Sequence, residues 1–489
     1  MVWYSMGKLT KNYLYNLTYQ LLVFLVPIIT APYLTRTLGA EQLGIYSYVY
    51  SITSIINTVT MLGTHTYGYR QVAYTRDNTK LCNRVFWEMT ILKLSLGVIG
   101  TVFYFLYAYK NEYFIQFLYY YPWLLASYID LSFIYVGMEE MKYPVMRNIM
   151  VKILSVIGIF VIVHVPDDLN KYILVLSLST LIGSLTIYIG LKKYVLFTIQ
   201  SVGIRIGSIM DHLRMSFSLF LPQAASYVYL QVDKIMIKAL VHGTAQISFY
   251  DQADKLVRVP LTVILVLSTV IMPRMANISQ KGNLEELYGY LFKSFQLSLL
   301  LAAPMAVGIA VLAKGFVPWY LGSEFTSTST AMMILAPIIV TTSIGGVIGT
   351  QYFTATNQIN ILLVANLSAF GSNIICNYFL ISKLGYLGAA IATILASGIS
   401  AAIQLIYLNK TVKIYDIVKR VYKYFVSAIA MGTGVLFCMR FFDFKIGPIY
   451  TLLEIVIGII FYCLGCLVLR DEFFIQLVKR IWKMVTKNA

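Results

Sequence analysis

Apolar residues in this chain come in long runs rather than at alternating positions. The runs recur from residue 13 to residue 469. Each is about 20 residues long, the length of helix that crosses a bilayer core of about 30 Å. Short polar stretches rich in turn residues separate them: TLGAEQLG, VPDDLN, VHGTAQ, ISQKGN, SKLGYLG and FDFKIG. The pattern predicts an all-α polytopic membrane protein of fourteen spans, near 13–37, 43–63, 85–108, 114–137, 146–164, 171–191, 215–240, 246–272, 288–312, 328–352, 359–382, 385–408, 422–441 and 448–469. The first run, Tyr13 to Leu34, is too long for a cleavable signal peptide and lacks a small-residue cleavage site, so it is expected to stay as the first span. Composition agrees, with 59% hydrophobic residues and a mean hydropathy of +0.74 over 489 residues. A soluble chain of that length would divide into domains with polar surfaces.

The basic residues orient the spans. Loops that retain Lys and Arg are cytoplasmic. The N-terminus, the even-numbered loops and the C-terminal tail carry 24 basic residues, against five in the odd-numbered loops. Both termini are therefore expected in the cytoplasm. The net charge of +17 is mostly topological, and no nucleic-acid partner is expected. Four of the five cysteines lie within spans, and the Cys463–Cys466 pair has no His or acidic neighbour. Neither a disulfide framework nor a metal or other cofactor is expected.

A duplication is visible at an offset of 204 residues, which relates Tyr46 to Tyr250 and Arg70 to Arg274. It falls where spans 1–6 and 7–12 would be two copies. Both copies begin in the cytoplasm, so the repeats are parallel, about an axis along the membrane normal. The expected organisation is an N-terminal lobe at 1–200, a C-terminal lobe at 201–412, and spans 13 and 14 with a basic cytoplasmic tail at 413–489.

Several spans are polar on one face only. Asn12, Asn16 and Gln20 form a stripe on span 1, and Tyr46, Tyr50, Thr53, Asn57, Thr60 and Thr64 form another on span 2. Span 7 carries Ser216, Gln223, Tyr227, Gln231, Lys234 and Lys238, and span 11 carries Asn366, Asn373 and Asn377. Polar groups are costly in hydrocarbon, so these faces meet other helices or water. Interhelical hydrogen bonding is one reading. A stripe that runs the length of a span suits a cavity wall better. In span 8, Asp251 with Lys255 and Asp254 with Arg258 are spaced to pair one helical turn apart. The predicted spans hold nine basic and six acidic residues, and this positive excess points to an anionic substrate. Asp233, Asp251, Asp254 and Glu454 are candidates for proton or Na⁺ coupling or, equally, for salt bridges.

The segments PYLTRTLGAEQLGIYSY, YGYRQVAYTRD, VDKIMIKAL, YDQADKLVRVP and VIMPRMANI resemble the polysaccharide flippases, the Wzx-like group of the multidrug/oligosaccharidyl-lipid/polysaccharide exporter superfamily. The resemblance covers essentially the whole chain. It implies two six-helix lobes around a central cavity plus two further helices. It also implies transfer of an undecaprenyl-diphosphate-linked oligosaccharide from the cytoplasmic to the outer leaflet of a bacterial inner membrane, for O-antigen, capsule or another surface glycan. Cationic cavity residues are implied at Arg36, Lys234, Lys238 and Arg258, with Arg70 and Arg274 at the cytoplasmic mouth. Together with Asn16, Gln20, Asn57, Gln223, Tyr227, Gln231 and Lys255, these are the expected substrate contacts. The expected partners are membrane lipids and the polymerase and glycosyltransferases of the same pathway. In one departure, related lipid II flippases carry arginines in the middle of helix 1, where this chain has Asn16 and Gln20.

Three rival readings fit less well. A cation-coupled drug exporter of the same superfamily favours an acidic cavity. A membrane polymerase or ligase needs catalytic groups on a large external loop, and the external loops here are short. The third is a lipid scramblase or structural membrane protein.

Overall fold

The structure is a computed structural model. It describes residues 2–195, 203–442 and 444–487, and within them all side chains except those of 2–25, 219, 221–226, 267, 269–270, 481 and 484–487. The described residues form helices and no strand. One compact unit comprises Met1–Lys238 with Gly243–Ala245, and the other Ala239–His242 with Gln246–Ala489. The first unit contains α1 (Val2–Met61), α2 (Thr64–Thr75), α3 (Thr79–Tyr109), α4 (Phe114–Ile129), α5 (Phe133–Gly137), α6 (Lys142–Ile162), α7 (Leu169–Thr186) and most of α8 (Ile206–Leu240). The second contains nearly all of α9 (Ala245–Gln280), then α10 (Leu284–Tyr320), α11 (Thr326–Leu335), α12 (Ile338–Gly345), α13 (Ile359–Leu384), α14 (Tyr386–Leu408), α15 (Ile414–Phe441), α16 (Pro448–Val468) and α17 (Glu472–Lys487).

Every predicted span falls mostly on helix. Among the described residues, eight helices are long and apolar enough to cross a membrane, and up to ten if each of two bent pairs is one span. Their outward faces are apolar: Val98, Leu106, Leu452 and Ile459 are each more than half exposed, as lipid-facing side chains are. The protein is a multi-pass membrane protein.

The first unit extends past residue 200 because α8 docks on it through polar contacts. Arg84 on α3 donates to Ser208 Oγ at 2.9 Å. His212 lies between Tyr67 Oη at 3.0 Å and Glu88 Oε2 at 3.1 Å. Small residues let the helices approach. A Cβ on Gly97 of α3 would meet the Tyr128 ring of α4 at 2.9 Å.

Local backbone features recur at, or within two residues of, the offset seen in the sequence. α1 is two helices joined at Gly39, whose φ of 77° is open to glycine at little cost. Gly243, 204 residues on, turns α8 into α9 with φ 88°. Asn78 caps α3 by accepting from Leu81 N, and Asn283 caps α10 by accepting from Glu286 N, both at 3.1 Å. The fourth span of each copy is broken. α4 ends where Asp130 turns to extended backbone (ψ 111°), and the Asp130 Oδ1 accepts from Ser132 N at 2.8 Å before α5 begins. α11 ends at Leu335, just before Pro337, which has no N–H to continue the ladder, and the chain bends by 43° there.

α15 and α16 pack on α10 in the second unit. Tyr462 Oη donates to Leu300 O at 2.8 Å and Trp319 Nε1 to Thr451 Oγ1 at 2.9 Å. The basic tail is itself a helix, α17. Phe473, Phe474, Leu477, Val478 and Trp482 recur on one side of it, and Lys479, Arg480 and Lys483 on the other. Asp471 Oδ1 starts it by accepting from Phe474 N at 2.8 Å.

Candidate functional site

In the first unit, Gln231, Lys234 and Lys238 follow one another along a face of α8. Gln231 Oε1 accepts from Ser51 Oγ of α1 at 3.0 Å and from Lys234 Nζ at 3.3 Å. Lys234 is buried, and its ammonium lies 5.9 Å from the centre of the Tyr50 ring. That ring opens an aromatic cluster. Tyr50 meets Trp123 at 6.1 Å, Trp123 stacks on Tyr120 at 5.5 Å, and Tyr46 meets Tyr172 at 4.9 Å. Tyr227, on the same helix as Lys234, is 56% exposed.

Lys238 differs from expectation. The sequence pairs it with nothing and treats it as an uncancelled cation. In the structure its Nζ lies 2.7 Å from Glu112 Oε1 and 3.0 Å from Tyr113 Oη. The hydrogen bond from Lys238 holds the Glu112 carboxyl below its ordinary value. Glu112 sits in the turn between α3 and α4, so this pairing joins residues far apart in the chain.

A second polar cluster in the same unit was not singled out from the sequence. The break after α4 exposes the Asp130 carbonyl, which accepts from the buried Lys93 ammonium of α3. The Asp130 carboxylate pairs with Arg147 of α6 at 2.8 Å. His65 Nε2 lies 3.1 Å from Ser132 Oγ. Asp130 and Arg147 line a cavity of about 260 Å³ together with Asn57, Trp123, Lys152 and Thr180. Asn57, an expected contact, therefore lines this cavity. Trp123 belongs to both the cavity and the aromatic cluster.

The remaining expected residues are spread over both units. In the first, Arg36 and Arg70 are exposed, and Asp233 is buried. Asn16 and Gln20 on α1 and Gln223 on α8 have side chains outside those described. In the second, the two pairs on α9 form as their spacing predicts: Lys255 Nζ reaches Asp251 at 2.5 Å and Arg258 Nε reaches Asp254 at 2.8 Å. Arg274 stacks on the Tyr290 ring at 4.8 Å. Glu454 is buried on α16, and its Oε2 has no hydrogen-bond partner among the described residues. Tyr250 Oη lies 2.9 Å from Thr393 Oγ1 of α14, the sixth span of the second copy. Its counterpart Tyr46 likewise packs on α7, the sixth span of the first.

Three comparisons with known proteins bear on this arrangement. The lipid II flippase MurJ, in an inward closed conformation, has the same fold, with a TM-score of 0.70 at 17% identity over 94% of this chain and 99% of that one. A probable low-salt glycan biosynthesis flippase of Haloferax volcanii is 26% identical over 235 residues, and the match spans 48% of each chain, about half the length of that relative. A putative O-antigen transporter of Shigella dysenteriae is 23% identical over 328 residues, which is 65% of this chain and 80% of that protein. The profile described as polysaccharide biosynthesis protein matches residues 9–279, more than half of the sequence, and the chain belongs to that family.

Proposed function

We propose that the protein is a flippase. It moves an undecaprenyl-diphosphate-linked oligosaccharide from the cytoplasmic to the outer leaflet by alternating access, in a bacterial inner membrane with both termini in the cytoplasm. The observation that carries the reading is the polar, cationic and aromatic lining within the spans of the first unit, built on Lys234, Gln231, Ser51, Tyr50 and Trp123. The names of its relatives support it. Each sugar hydroxyl costs roughly 4–8 kcal/mol to bring unpaired into hydrocarbon, so an oligosaccharide does not cross a bilayer unaided. Amides and hydroxyls on the spans replace the lost water, and aromatic faces receive the sugar rings. Lys234 supplies the positive charge that a diphosphate requires.

Replacing Lys234 with Ala tests the reading. Surface glycan should be lost while the protein stays inserted and abundant, and Lys234→Arg should retain part of the activity, because charge holds the diphosphate. If Lys234 only ties helices together, Lys234→Ala should instead disappear from the membrane. Normal surface glycan from a stable Lys234→Ala variant would sink the assignment.

A further inference from the structure

The cavity between Asp130 and Lys152 holds more charge than its backbone needs. The second copy breaks its own fourth span with Ala336 and Pro337, two uncharged residues. A break in this helix therefore does not require Lys93, Asp130 and Arg147. In the first unit, Lys93 and Arg147 both contact Asp130, and Lys152 lines the same cavity. Arg147 is opposed by Asp130 at 2.8 Å, and Lys93 is held by the Asp130 carbonyl. Lys152 stands ten residues beyond the start of α6 at Lys142, about 15 Å along the helix. Lys152 lines the cavity, and its ammonium has no hydrogen-bond or ion-pair partner among the described residues. Such a group at membrane depth marks a binding site or pathway by default.

The rest of the lining says what kind of anion fits. The Asn57 Oδ1 is buried without a hydrogen-bond partner among the described residues, and Thr180 adds a hydroxyl. Trp123 presents an indole that already stacks on Tyr120. A bare phosphate would use the cations and leave the amide and the ring idle. A sugar with a carboxylate substituent uses all of them, with its acid on Lys152 and Arg147, its hydroxyls on Asn57 and Thr180, and its ring against Trp123. We propose that this cavity is a binding site for an acidic sugar. The proposal deepens the flippase reading and rests on it for the source of the ligand, a residue of the carried oligosaccharide.

Equilibrium dialysis of the purified full chain in nanodiscs with radiolabelled glucuronate tests the site. Saturable binding is expected, with glucose failing to compete and inorganic phosphate competing at least about tenfold more weakly than unlabelled glucuronate. Lys152→Ala should weaken glucuronate binding by about tenfold or more, and Lys152→Arg should retain most of it. Trp123→Leu should weaken glucuronate and leave phosphate unchanged, and it serves as the second variant if Lys152→Ala does not fold. Three results overturn the proposal: no saturable binding by protein of normal melting temperature, phosphate competing as well as glucuronate, or full binding by a folded Lys152→Ala variant. Binding involves no transport step. Protein that binds glucuronate but flips no lipid refutes the flippase reading alone, and protein that flips lipid but binds no glucuronate refutes this site alone.

Discussion

Replacing Asp130 with alanine removes the only carboxylate, among the described residues, that lines a cavity also holding Arg147 and Lys152. The Arg147 and Asp130 side chains are 14% and 19% exposed, so their 2.8 Å contact is largely shielded from water. Removing one partner of a buried pair costs about 3–5 kcal/mol, because the other charge is left without compensation. The residual exposure favours the low end, about 3 kcal/mol. The Asp130 Oδ1 also accepts from Ser132 N at 2.8 Å, and losing that bond adds about 1 kcal/mol. In a chain this long each kcal/mol moves the melting midpoint by about 2 °C or less, so Asp130→Ala should melt up to about 8 °C lower. Asp130→Asn retains the turn acceptor and should lose somewhat less. The Asp130→Asn, Arg147→Met double variant should recover part of the loss, because it removes the orphaned charge. The assay is size-exclusion chromatography of detergent-solubilised protein after heating at one fixed rate, since unfolding of such proteins is irreversible. A shift under about 2 °C for Asp130→Ala, or a double variant equal to the sum of the singles, would refute the coupling.

Two further outcomes follow from the fold. A Cβ on Gly44 would run into the backbone carbonyl of Thr244, whereas Gly289 has open space around it. Gly44→Ala should therefore cut accumulation in the membrane several-fold while Gly289→Ala leaves it unchanged, read by immunoblot of washed membranes. Reporter fusions after Asn78, Gly282 and Lys487 should read cytoplasmic, and fusions after Asp168 and Gly243 external. An external signal at Lys487 would overturn the proposed orientation.

Much of the architecture is legible in the sequence because lipid demands continuous apolar helix, a long-range signal that survives local irregularity. The Asp251–Lys255 and Asp254–Arg258 pairs were equally legible, since both partners sit on one helix at fixed spacing. The partners of Lys238 were not. Tyr113 is 125 residues away, and nothing local marks it or the neighbouring Glu112 as a contact. The cluster at Asp130 was hidden for the same reason. Lys93, Asp130 and Arg147 lie on three different spans, and each reads alone as a stray charge or a loop cation. The helical tail was visible only as a net basic segment, because its apolar side is too short and too interrupted by charge to read as a span.

The central claim is that the protein moves a lipid-linked oligosaccharide between leaflets, and reconstitution tests it most directly. Proteoliposomes carry the purified chain and a fluorescent undecaprenyl-diphosphate-linked oligosaccharide, and an impermeant quencher reports the fraction in the outer leaflet, with and without a proton or Na⁺ gradient. The account predicts that the pool protected in protein-free vesicles becomes accessible when the protein is present, and that Lys234→Ala leaves it protected. A protected pool that persists with folded protein under every gradient would contradict the account, as would a Lys234→Ala variant that empties the pool as fast as the parent.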